Sequence, residues 1–373
     1  MDAEPQFWVR VLLSAGRTQC LIEASSALTV AGVGQAADSL EVSVQSAGLN
    51  VGGQVFGPGC EVEILPAKPY VFRLDGAAFR GTVHLVFDGE GRQFDVVNWV
   101  PLEPYLAGVI GAEMPSYWEP QALQAQAVAA RTYCWSVKER AAAGRHWDIR
   151  RTEGHQVYRG LAAESAPVWE AVKDTTGVVM VAPGGLNGIE TVFPSYYSAI
   201  CGGHTESGTG VFGDSSSVLA AVDCPFCEDT ARKDHFCWPP VQLEKRRATE
   251  LLSRRYASLK ALDTLDRIEP SRQSTYPGFS RITQFRLVGS NGRTETVRAE
   301  DLRLVLDPSG RKIRSTCFQV SDTGDSWTFV GGRGWGHGVG MCQTGAQGMA
   351  RRGWAAADIL QHYYPGSRLV SLY

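Results

Sequence analysis

Residues 116–144, SYWEPQALQAQAVAARTYCWSVKERAAAG, constrain the fold most. Pro120 fits an α-helix only in its first turn, because it lacks an N–H and its ring crowds the preceding turn. A helix in this stretch therefore begins close to residue 120. Ser116 and Glu119 fit a capping box ahead of it, each side chain positioned to satisfy a free backbone N–H. Leu123, Ala127, Ala130, Cys134 and Val137 recur at helical spacing and mark a core-facing side. Lys138 and Arg140 suit the negative end of the helix dipole, and Gly144 suits its stop. Just upstream, PLEPYLAGVIGAEMP (101–115) reads as a shorter helical piece ending at Pro115.

The flanking sequence has a different period. FWVRVLL, CLIEA, VEILP and GTVHLVF, all between residues 7 and 98, are rich in β-branched and aromatic residues and are separated by Gly, Asn, Asp and Pro turns. Residues 177–225 and 281–330 read as further strands, 241–262 as a basic amphipathic helix, and 346–362 as a short final helix. The expectation is an α+β protein with a smaller β-rich N-terminal region, 1–98, and a β-rich mixed domain, 99–373, built around the long helix.

Composition narrows the function. A net charge of −3 argues against a general nucleic-acid binder. No apolar stretch approaches the roughly 18 residues of a membrane span. The start, MDAEPQFWVR, lacks the basic and apolar parts of a signal peptide, which leaves either a cytoplasmic protein or one whose export signal or anchor is absent from this chain.

Four features carry chemistry. Glu113 lies among Met114, Pro115, Tyr117 and Trp118, where a carboxyl group is disposed to stay protonated and to serve as a general acid. A helix-terminal cap or surface ion pair is the alternative. Arg131 is the only charged residue between Glu119 and Lys138, so it needs a partner, either a ligand or an ion-pairing carboxylate. The run GRGWGHGVGMCQTGA (332–346) alternates glycine at 332, 334, 336, 338 and 340, which lets backbone approach a ligand closely; His337 stands at its centre, with Gln343 and Thr344 following. It matches neither a Walker loop nor the dinucleotide fingerprint. A tight turn around a packed histidine is the alternative. Last, the nine cysteines are an odd, uneven set, poor as a disulfide framework. Cys224 and Cys227 form a CxxC pair, with Cys201, His204, His235 and Cys237 nearby. Tetrahedral zinc suits such spacing. The expected site is a closed, structural zinc held by Cys201, Cys224, Cys227 and Cys237, with His204 and His235 in reserve and no part in catalysis; a local disulfide is the rival.

LEPYLAGVIGAEMPSYWEPQALQAQAVAARTY (102–133) and GRGWGHGVGMCQTGAQGMARRGWAAADILQHYYPG (332–366) together resemble the two signatures of the SpoIID/LytB family, the sporulation stage II protein D and amidase enhancer group. HQVYRG (155–160), SYYSAICGGHTES (195–207) and STCFQV (315–320) also fit. The resemblance implies a SpoIID-like α+β fold and a peptidoglycan lytic transglycosylase that cuts between N-acetylmuramic acid and N-acetylglucosamine, leaving a 1,6-anhydro end. It implies Glu113 as the catalytic acid and Arg131, which matches the arginine in the second half of the first signature, as a second catalytic residue. His337, Gly338 and Gln343 would face sugar, and Gln156, Tyr158, Ser198 and His204 would bind substrate. Glycan strands, and a cell-wall amidase, are the implied partners, and the cell envelope the implied location. A non-catalytic, wall-binding amidase enhancer is the second reading. Two departures stand out. SVLAAVD (217–223) lacks the Tyr-x-Lys that family members often carry there, and HWDIRRTEGHQVY lacks the cysteine of a zinc site some members have upstream of QVY.

Overall fold

A computed structural model describes residues 7–34, 36–142, 144–152, 154–184 and 188–373. With 28% of residues helical and 37% in strands, the protein is α+β and β-rich. It divides into two compact units, Met1–Val179 with Ser371–Tyr373, and Met180–Val370.

The first unit is built on an eleven-stranded sheet. Its pairings are antiparallel apart from Ile149–Arg150, which runs parallel to Val11–Leu12, among the described residues. Alternation explains the strands: in Glu61–Pro66, Val62 and Ile64 are buried while the glutamates face outward. The residue 98/99 boundary expected from composition falls inside the strand Phe94–Pro101, which runs directly into helix α1, Leu102–Glu113. Helix α2 follows, Pro120–Glu139. Pro120 opens it, as the sequence requires. Ser116 and Glu119 form no capping box, however: Glu119 is itself the residue before the helix, without a side-chain cap, and Pro115–Trp118 form a turn closed by the Trp118 N–H on the Pro115 carbonyl. Leu123, Ala127, Ala130 and Cys134 are buried as expected, Val137 only partly, and so are residues on the other faces, because alanine lets neighbours approach from every side. Helix α3, Ala166–Asp174, packs on both. At the C-terminus, Tyr373 stacks on Phe7 with ring centroids 4.6 Å apart.

In the second unit, the core of residues 238–329 gathers Leu252, Phe285, Leu287, Trp327 and Phe329. The stretch 241–262 is not one helix. Val241–Glu244 pairs as a strand with Ser326–Phe329, Lys245–Arg255 is helical, and extended Tyr256 separates it from a 3₁₀ turn, Ala257–Leu262. A long hairpin, Leu265–Tyr276 with Phe279–Gly289, extends from this core. The final helix is likewise two, Gln343–Ala350 and Ala356–Tyr363, with Gly353 at φ +83° between them. Among the described residues, no helix is long and apolar enough to cross a membrane.

Candidate functional site

Glu113 is the last residue of α1. The Met114 N–H closes the helix on the Ile110 carbonyl at 2.8 Å, and Met114 itself is extended, so the chain leaves the helix axis at that point. Glu113 is half-buried, and its Oε1 accepts the Val157 N–H at 2.9 Å. That donor is held in place by its neighbours. Tyr105 donates to Gln156 Oε1 at 3.0 Å, Gln156 Nε2 donates to the Ala130 carbonyl at 3.1 Å, and Tyr158 donates to Asn98 Oδ1 at 3.2 Å. Gly111 lets α1 lie close against the turn at 160–163, since a Cβ there would lie 1.9 Å from the Ala163 carbonyl oxygen. Gln156 and Tyr158 are therefore buried supports, not the substrate-facing groups expected from sequence. Gln156 and Tyr158 are buried on either side of half-buried Val157, whose amide meets the carboxylate.

Arg131 is fully buried. Its Nε and Nη2 meet the two oxygens of Glu103 at 2.9 and 2.6 Å, and Nη1 donates to the Val178 carbonyl at 3.0 Å. The fork that suited a ligand is occupied by protein. Arg131 braces α1 against α2, and its partner, Glu103, went unrecognised in the sequence.

The glycine run belongs to the second unit. Gly334, Gly336, Gly338 and Gly340 all have positive φ. A Cβ on Gly338 would lie 2.6 Å from the guanidinium carbon of Arg281, which is fully buried and donates to the carbonyls of Cys201 at 2.6 Å and His337 at 3.3 Å. His337 Nδ1 accepts the Val339 N–H at 3.0 Å, and the ring packs edge-on to Phe212 with centroids 5.1 Å apart. Burial pushes its pKa down to about 4. Nδ1 is committed to the protein and the ring packs on Phe212, which favours the packed histidine of the alternative reading, and Gly338 is spent on accommodating Arg281. Gln343 is buried in the first turn of Gln343–Ala350. Ser198 pairs through backbone with Cys342; its Oγ is buried and has no hydrogen-bond partner among the described residues. His204 is half-buried and stacks on Tyr276.

Cys201, Cys224, Cys227 and Cys342 bring their Sγ atoms within 4.8 Å of one another, all buried, in an arrangement able to hold a metal ion. Cys237 is not among them. It is exposed and starts a two-residue strand beside Gly332–Arg333. Nearness in sequence favoured Cys237. The chain instead returns through Met341–Cys342, parallel to Tyr197–Ser198, and delivers Cys342. His204 and His235 lie outside the cluster. Cys342 Sγ accepts the N–H groups of Cys201 at 3.2 Å and Gly345 at 3.4 Å, and the Tyr363 hydroxyl is 3.1 Å from Cys224 Sγ. Hydrogen bonds from the other three thiols hold Cys224 well below the usual thiol range, while burial pushes Cys201 and Cys342 well above it. All nine cysteines are free thiols.

The sequence profile of the family described as Stage II sporulation protein matches residues 90–181, the segment that contains Glu113, Arg131 and Val157. Stage II sporulation protein D of Bacillus subtilis is 28% identical over 288 residues, 73% of this chain and 75% of that protein. The chain belongs to the SpoIID family. A second relative, an uncharacterized protein of Brachyspira hyodysenteriae, is 31% identical over 300 residues, covering 80% of this chain and 74% of its own. The amidase enhancer of Bacillus subtilis is 29% identical over 334 residues, but the alignment spans only 45% of that longer protein. Residues 219–340 of this SpoIID-family chain also match a profile described as a domain of unknown function, DUF8618, which takes in the long hairpin and most of the glycine run.

Proposed function

We propose that this chain acts on the cell wall, in the envelope, as a lytic transglycosylase of peptidoglycan glycan strands, with Glu113 as the general acid and base. The observation that carries this reading is the Val157 N–H on Glu113 Oε1, inside the segment shared with the family. An ordinary glycosidase needs two carboxyl groups. A transglycosylase needs one, because the muramic acid supplies its own nucleophile. Protonated Glu113 gives its proton to the glycosidic oxygen as the bond to C1 breaks. The 6-hydroxyl then attacks C1 and its proton passes to the carboxylate, restoring the acid and closing the 1,6-anhydro ring. The Val157 amide fixes the carboxyl's orientation and stabilises the transient carboxylate. The tethered hydroxyl carries the entropic advantage of an intramolecular reactant.

The four-cysteine cluster fits a structural zinc. A tetrahedron with zinc–sulfur bonds of about 2.3 Å has edges of about 3.8 Å, and Cys201 Sγ and Cys227 Sγ stand 3.7 Å apart. The N–H groups on Cys342 Sγ offset the negative charge that four thiolates bring around a dication. Four protein ligands leave no position for water, so catalysis is left to Glu113. The name of the amidase enhancer relative supports a second reading, in which the chain binds the wall and stimulates an amidase partner. Incubation with glycan strands, with and without stem peptides, separates the two. Anhydro-ended products identified by mass spectrometry support the enzyme; binding without products supports the enhancer.

A further inference from the structure

The stretch 145–155 has no part in the cleavage scheme, yet it runs directly into Gln156 and Val157. Among its described residues, Arg145, His146, Arg150, Arg151 and His155 stand against Asp148 alone. That carboxylate is already taken. It is buried, and its oxygens accept the Arg10 N–H at 2.9 Å and the Arg10 guanidinium at 2.7 and 3.1 Å. Asp95 is likewise paired, with His146 at 2.9 Å. Arg145 shapes the loop from within. Its Nε and Nη2 donate to the carbonyls of Trp147 and Asp148, both at 2.8 Å, and its guanidinium carbon stands 4.0 Å from the centre of the Trp147 ring. Arg150 lies over the same ring at 4.9 Å, where the indole attracts a cation. The pairing of Ile149–Arg150 with Val11–Leu12 ties the loop to the large sheet.

Arg150 and Arg151 are left without an acceptor. Among the described residues, their guanidinium groups donate no hydrogen bond and pair with no carboxylate. Arg150 is exposed. Arg151 is half-buried, its guanidinium carbon 5.7 Å from the centre of the Phe79 ring. Burial, and then the charge of Arg17, lower its pKa. Taking such a cation partly out of water costs free energy that a partner would offset. Both arginines also flank the segment that holds Glu113. The Arg150 N–H donates to His155 Nδ1 at 3.0 Å, and His155 is two residues, at most about 7 Å of chain, from Val157, the donor to Glu113. Phe79, which carries Arg151, has its ring 5.7 Å from that of Tyr158, the residue after Val157. A planar, unfilled guanidinium fork suits a carboxylate. We infer that Arg151, with Arg150, binds a carboxylate carried by a muramic acid of the strand that Glu113 cuts, either its own lactyl group or its stem peptide. All of these residues belong to the first unit. This rests on the glycan reading above.

The test is calorimetric titration of three probes into protein carrying Glu113→Gln, which leaves strands uncut: peptide-free glycan strands, peptide-bearing strands, and chitin oligosaccharides, which have the amino sugars but no carboxyl. Adding Arg151→Gln is expected to weaken binding of a carboxylate-bearing strand about five- to tenfold, between the worth of an exposed ion pair and that of a charged hydrogen bond. Chitin affinity stays unchanged. Arg151→Lys keeps the charge and most of the affinity, and Arg150→Gln, at an exposed position, weakens binding by a smaller factor. Added salt weakens strand binding less in Arg151→Gln than in the parent, because one charge pair fewer is screened. A loss confined to peptide-free strands assigns the lactyl carboxyl, and one confined to peptide-bearing strands assigns the stem peptide. Unchanged affinity for both kinds of strand in normally melting Arg151→Gln and Arg150→Gln proteins overturns the inference and leaves the glycan reading intact, and so does an equal loss on chitin. A wild-type protein that neither binds nor cuts glycan strands overturns the glycan reading itself.

Discussion

Glu103 and Arg131 meet through two parallel hydrogen bonds, 2.9 and 2.6 Å long, with the arginine fully enclosed. Such a pair is costly to break from one side, because Glu103 keeps the Gly177 N–H and the Tyr373 hydroxyl as donors but loses its only countercharge among the described residues. Arg131→Ala is expected to lose about 3–5 kcal/mol of stability, and Arg131→Lys less, since it keeps the charge but not the fork. Urea titration checks this. An Arg131→Ala protein that unfolds like wild type yet has lost turnover would instead return Arg131 to the reacting centre.

The cysteine cluster predicts which thiols matter. Cys342→Ser is expected to abolish metal binding and lower the melting temperature, while Cys237→Ser leaves both unchanged, because Cys237 is exposed and apart from the cluster. Chelation of the wild-type protein should lower its melting temperature as well, since metal binding and folding are coupled. Elemental analysis with a free-thiol count checks this. Missing thiols with sub-stoichiometric zinc would indicate a disulfide instead.

His337 makes stability depend on pH. Its folded pKa, about 4, lies below the ordinary histidine value of about 6.5 because of burial. The unfolded chain then binds the proton more readily, so the contribution is complete above pH 6.5 and is lost as pH falls toward 4, by at most roughly 3 kcal/mol. Burial lowers His155 and His362 too, which adds slope of the same sign to any variant. His337→Gln is expected to be less stable than wild type at pH 7, with the gap closing on acidification. Denaturation curves at pH 7 and 4.5 check this, and a constant gap would remove His337 from the account.

Helix α2 was legible because Pro120 fixes its start and its apolar spacing is local information. The site was legible in part. Glu113 could be singled out from its apolar neighbours, but the Val157 amide that orients it could not, since backbone groups leave no mark in a sequence. Arg131 announced a need for a partner without naming Glu103, which sits on a different helix. His337 looked ligand-facing because glycines surround it. Those glycines instead admit Arg281 and let the loop close around the ring. Cys237 displaced Cys342 in the reading because a short chain separation is visible and a returning strand pair is not.

Glu113→Gln tests the central claim most directly. The substitution is nearly isosteric and keeps an acceptor for the Val157 N–H, but it removes the transferable proton. Wild-type and variant proteins, matched for melting temperature, are incubated with peptide-free glycan strands and the products are weighed by mass spectrometry. The account predicts anhydro-ended fragments from wild type and none from Glu113→Gln, with glycan binding retained. Undiminished anhydro product from a well-folded Glu113→Gln protein would contradict it.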